Sequence, residues 1–278
     1  MSLLTRKPRS QAFKGVGKPA RANARAPWGW GLSGVLLGAL LSVLVFAPAR
    51  WLAAAVRQAS GAQVLLQDSR GTVWSGSAQL TLSGGAGSLA AASLPSRLSW
   101  QVQPGLTGLG VRLQASCCLV QPWQFWLAPA WNGATLHVSD SPSAWPAEIL
   151  MGLGTPFNTI APQGQLALTT RGLTLTWAAG RLQVAGQAQL DAQDISSRLS
   201  TLRPMGSYRF ALAGGTAPEL LLSTLRGSLL LSGRGQWVGG KLRFVGEASS
   251  APEHQAALSN LLNIIGRRNG ARSIIKLG

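Results

Sequence analysis

The chain has 278 residues, 46% of them hydrophobic and only 12% charged, with 34 Gly, 11 Trp and a formal net charge of +17. Eight acids and two histidines leave little material for convergent ionisable chemistry, and two cysteines exclude a disulfide-dense scaffold. The cationic surplus suits an anionic partner such as lipid head groups.

Residues 1–25 carry Arg6, Lys7, Arg9, Lys14, Lys18, Arg21 and Arg25 without an acid or an apolar period. Such a segment buries too little surface to offset ordering, so it reads as a disordered basic cytoplasmic tail that also suits anionic lipid. From Ala26 to Ala49 the chain runs uncharged for 24 residues. That length crosses a hydrocarbon core of roughly 30 Å as a transmembrane helix. The upstream cations, against Arg50 and Arg57 downstream, place the N-terminus inside and the remainder outside, where nucleic acid is not a partner.

Trp28, Trp30 and Trp51 stand where membrane-interface anchors would. A cleaved signal peptide ending at Ala47-Pro48-Ala49 competes with the anchor, but the apolar stretch exceeds the ~7–15 residues of a signal core. Gly34, Gly38 and Ser42 share one helix face. They read either as a helix–helix contact with another membrane protein or as the composition of a lone helix in lipid.

A juxtamembrane helix over 50–60 should follow, with Gly61 as its left-handed C′ residue. Residues 61–278 then change period. Apolar and polar residues alternate at 73–82, 97–102, 110–115, 134–138, 165–169, 173–177 and 181–190, and again at 207–212, 219–224, 228–232 and 241–248. Gly84-Gly85, Gly214-Gly215 and Gly239-Gly240 mark turns, the last a two-residue hairpin. The fold class is mainly β: a single N-terminal transmembrane helix, then one large curved antiparallel β-sheet domain in the periplasm with a few short helices. Helices are expected at 144–152 and at Pro252–Arg267, the second burying Ala257, Leu261, Ile264 and Ile265.

The chemistry is sparse. His137 and His254 lack ligands at metal spacing, and Gly152-Leu153-Gly154 begins a nucleotide fingerprint that Thr155-Pro156-Phe157 abandons. Asp191 and Asp194 form the one close acid pair. They read as solvated acids in a turn after a strand more simply than as a hydrolase pair. Cys117 and Cys118 are adjacent, and three states compete: a vicinal disulfide, two buried reduced thiols in a strand, or a cross-link to a second chain. No catalytic, cofactor or metal residue is assigned, and the expectation is a protein that is not an enzyme.

Four stretches carry a resemblance. Arg70-Gly-Thr-Val-Trp-Ser-Gly-Ser-Ala78, Gly154-Thr-Pro-Phe-Asn-Thr159 with Gly164-Gln-Leu166, Ser197-Arg-Leu-Ser-Thr-Leu-Arg-Pro204 before Gly206-Ser-Tyr208, and Asn260-Leu-Leu-Asn-Ile-Ile-Gly-Arg-Arg268 resemble the type II secretion system protein N family. Phe157 stands where that family motif has Trp. The resemblance implies an accessory inner-membrane component of the machinery that exports folded proteins across the outer membrane of Gram-negative bacteria. Its implied partners are other inner-membrane subunits of the system, the lipid bilayer and a second copy of the chain. No cofactor comes with it. A lipid-binding or lipid-transfer protein similar to the AsmA-like families is the rival reading.

Overall fold

The computed structural model describes residues 28–178, 180–238 and 241–278. The basic tail, the first two residues of the apolar stretch and the Gly239-Gly240 turn lie outside the described residues. The chain divides into two units, Met1–Val43 and Leu44–Gly278.

Helix α1 (Trp28–Val45) carries no charge and exposes its large side chains, among them Trp28 at 78% and Leu36 at 69%. No helix among the described residues is long and apolar enough to cross a membrane. The helix expected to continue to Ala49 instead stops at Val45. Pro48 is extended (φ −71, ψ 146), and a proline biases the residue before it away from helix.

The first helix lying wholly in the second unit is α2 (Ala49–Ala59), which buries Ala49 and half-buries Leu52, Ala53 and Val56. Gly61 ends it as expected, at φ +60, where a residue without Cβ avoids the left-handed penalty.

Sixteen strands follow among the described residues. The first seven are β1 (Val64–Gly71), β2 (Ser75–Ser83), β3 (Ala91–Ser93), β4 (Leu98–Gly105), β5 (Gly108–Ala115), β6 (Trp123–Ala130) and β7 (Gly133–Val138). Then come β8 (Ser143–Pro146), a 3₁₀ turn (Ala147–Leu153), α3 (Phe157–Ile160) and the two long strands β9 (Gln163–Ala178) and β10 (Arg181–Ser196). The rest comprises β11 (Gly206–Ala213), β12 (Glu219–Gly227), β13 (Leu229–Val238), β14 (Lys241–Ser250), α4 (Gln255–Ile265), β15 (Arg267–Asn269) and β16 (Arg272–Leu277).

All pairings are antiparallel, and they make one sheet in the order β1-β2-β4-β5-β6-β7-β9-β10-β11-β12-β13-β14-β16-β15. β3 adds to β2 and β8 to β9. Most neighbours are consecutive because hairpins are the cheapest connection between alternating segments. Val238 of β13 pairs with Lys241 of β14.

Several expectations need correction. The stretches at 165–169 and 173–177 are one strand, β9, held by β8 along one part and β7 along another. The helix expected at 144–152 is a strand followed by a 3₁₀ turn, since Pro146 has ψ 133 and blocks helix before Ala147. Helix α4 buries Leu258, Leu261 and Leu262, whereas Ile264 is 41% exposed. Its apolar face is therefore rotated from the expected one.

Candidate interaction surface

Register and alternation divide the sheet into two faces. On one, rows of apolar side chains cross several strands: Trp100–Leu113–Trp123, Val111–Phe125–Val138 and Leu109–Leu127–Leu136–Leu175–Val184. The opposite face carries Gln101–Arg112–Gln124, Trp126–His137–Thr174 and Asp191–Arg209–Ser223.

Two covers close part of the apolar face. Ile149 of the 3₁₀ turn packs with Leu94, Leu98, Ala115 and Leu119. Leu258, Leu261 and Leu262 of α4 pack with Met205, Tyr208, Leu222 and Phe244. The row from Leu109 to Val184 belongs to neither cluster; Val184 at one end is buried, while Leu109 at the other is 38% exposed and Trp177 and Leu182 beside the row are 42% and 45% exposed.

The four sequence motifs hold these parts together. Trp74 Nε1 donates to the Leu44 carbonyl (2.8 Å), and a Cβ on Gly76 would lie 2.6 Å from the Trp100 ring. Arg70 and Arg97 both reach Asp68 at 2.8 Å and hold its carboxyl below the usual range, Arg70 more than Arg97. Across the sheet, Ser197 Oγ donates to Ile160 O (2.6 Å), while Arg198 donates to Thr159 O (3.0 Å) and Asn158 O (2.8 Å). The second and third motifs are thus one joint.

The third motif runs on to Tyr208, buried in the α4 core without a partner for its hydroxyl, and burial pushes its phenol up. Leu261 and Leu262 of the fourth motif complete that core.

The remaining singled-out residues are scattered. Gly34 and Gly38 have nothing within 4 Å of an added Cβ, and Ser42 is exposed on the same helix. Trp28 and Trp30 lie on α1 and Trp51 on α2, where it is 49% exposed.

Cys117 and Cys118 are joined by a disulfide in a turn after β5. Cys118 is buried beside Leu119, and Cys117 is exposed. Asp191 and Asp194 lie within β10, not in a turn after it. Asp191 binds Arg209 and Asp194 binds Arg226, so the two acids are gripped separately. His137 Nδ1 meets Thr174 Oγ1 at 3.2 Å, and His254 precedes α4. Among the described residues no three His, Cys, Asp or Glu side chains gather as metal ligands would.

Sequence reasoning missed β1, β3, β6, β8, β15 and β16, and with β1 Asp68's role as the anchor of two arginines. A single extended sheet, sided by polarity and pinned by its motif residues, defines a mainly-β scaffold that presents surfaces. A family model for type II secretion system protein N matches residues 62–275, and the chain belongs to that family. No curated protein and no solved structure matches it significantly.

Proposed function

We propose that the chain is an accessory component of the type II secretion system at the inner membrane, acting through protein–protein contacts rather than catalysis. Where the family motifs go carries this reading. Ser197, Arg198, Tyr208, Leu261 and Leu262 join loops and core, and none converges with a nucleophile and base.

The uncharged α1, with its exposed leucines, supports membrane attachment, and the upstream cations support a cytoplasmic N-terminus with a periplasmic sheet. The Gly34, Gly38 and Ser42 face offers close approach to other inner-membrane subunits. Lipid handling is the second reading, favoured by the row from Leu109 through Leu127 and Leu136 to Leu175, which is only half-buried or exposed.

The test is a deletion strain assayed for secretion of folded substrates, together with mass spectrometry of the full chain purified in mild detergent. Lost secretion without bound lipid is the expected result. Normal secretion with stoichiometric phospholipid would overturn it in favour of the second reading.

A further inference from the structure

One end of the sheet is a row of hairpin turns: 105–108, 130–133, 178–181, 213–219 and 238–241. The two best-exposed large apolar residues of the sheet domain sit at two of these turns. Leu106 has a relative exposure of 108% and Trp131 of 106%, so neither supports the core. Trp177, Leu182 and Val238 beside the turns are also exposed.

The charge at this end is mainly positive, its one acid being Glu219 at the start of β12. Arg181 and Lys241 are exposed there, and no acid occurs in 104–109, 129–134, 177–183, 213–218 or 237–242. Glu219, which closes the 213–219 turn, is neutralised by Arg234 at 2.6 Å. Acids sit instead toward the other end, at Asp140, Asp194 and Glu253. The segment preceding α2 passes the β1–β2 turn on this side of the sheet, because Val73 N donates to Ala47 O (2.8 Å) and Trp74 Nε1 to Leu44 O (2.8 Å).

Exposed Leu and Trp next to cations that no acid neutralises match a bilayer interface. An indole is favoured at head-group depth, and Arg or Lys meets lipid phosphate.

We propose that this rim docks onto the surface of an anionic lipid bilayer. Leu106 and Trp131 enter the interface, and Arg181 and Lys241 face the phosphates. The inference rests on the membrane attachment proposed above only for the nearness of the bilayer. It is distinct from lipid held along the apolar face.

The experiment uses the full chain in vesicles of phosphatidylglycerol and phosphatidylethanolamine containing a lipid with a head-group-proximal quencher. An environment-sensitive fluorophore is placed at Leu106→Cys, at Trp131→Cys or at Leu89→Cys, the last fully exposed in the turn at the opposite end. The unsubstituted chain, whose cysteines are bonded to each other, serves as blank. Expected are blue-shifted, quenched emission at 106 and 131 and none at 89. Arg181→Gln and Lys241→Gln should each lower the docked-to-undocked ratio about fivefold.

Equal emission at the three sites overturns the proposal, as does shielding of 106 and 131 that requires an added protein rather than lipid. Equal quenching in phosphatidylcholine vesicles overturns its anionic part. Carbonate extraction of the same vesicles reads attachment by α1 separately, so failure of the anchor and failure of the rim give different results.

Discussion

Arg209 holds Asp191 through two nitrogens, Nε at 2.7 Å and Nη2 at 2.8 Å, from directly opposite positions on β11 and β10. The Arg209 hydrogen bonds are the main reason the Asp191 carboxyl lies below its ordinary value of 3.8. A carboxylate held down in the folded state adds stability above its unfolded value and loses it as pH falls through the folded one. Asp68, between Arg70 and Arg97, behaves the same way.

Thermal unfolding followed from pH 7 downward should therefore show Tm dropping below about pH 4, where unfolded carboxylates take up protons. Asp191→Asn should lower Tm by a few degrees at pH 7 and flatten the acid limb. A variant with an unchanged acid limb would show that the pair adds nothing.

Ser197 is 1% exposed, and its hydroxyl both donates to Ile160 O and accepts from Leu199 N. Ser197→Ala leaves two half-buried backbone groups without this partner and should cost roughly 1–3 kcal/mol in urea unfolding. Arg198→Ala, at an exposed site, should cost less.

Helix α4 gives a sharper contrast. Leu262→Ala removes a side chain with 0% exposure and should destabilise by about 2–5 kcal/mol. Ile264→Ala, on the exposed side, should remain under about 1 kcal/mol. Equal costs at the two positions would mean that α4 docks by a different face.

On α1, Ile at positions 34 and 38 would fill a face that is open at both glycines. The double substitution Gly34→Ile, Gly38→Ile should weaken in-cell cross-linking to other inner-membrane subunits of the secretion system while leaving the fold of the sheet domain intact. Undiminished cross-links would remove this face from the proposed contact.

Much of the sheet was legible because period-2 alternation reports one buried face, as in β2, β4, β5 and β10. β6 was not, because Trp123–Ala130 is apolar nearly throughout and contains Pro129, which reads as a breaker. Trp126 belongs to the polar face despite its composition, since its partners there are Gly110 and His137. Asp191 and Asp194 were misread as a turn because no local signal distinguishes a strand acid paired across the sheet from one capping a bend.

By itself the sequence determined the β class, the family, the uncharged stretch and the glycines that close hairpins, because each is encoded in neighbouring residues. Only the tertiary structure decided which acid meets which arginine, which side of α4 is buried, and that residues 158–160 and 197–198 form one joint. It also placed Leu106, Trp131, Arg181 and Lys241 at one end of the sheet. These relations span from 18 to more than 100 residues of chain, and they exist only once strand register has been set by packing.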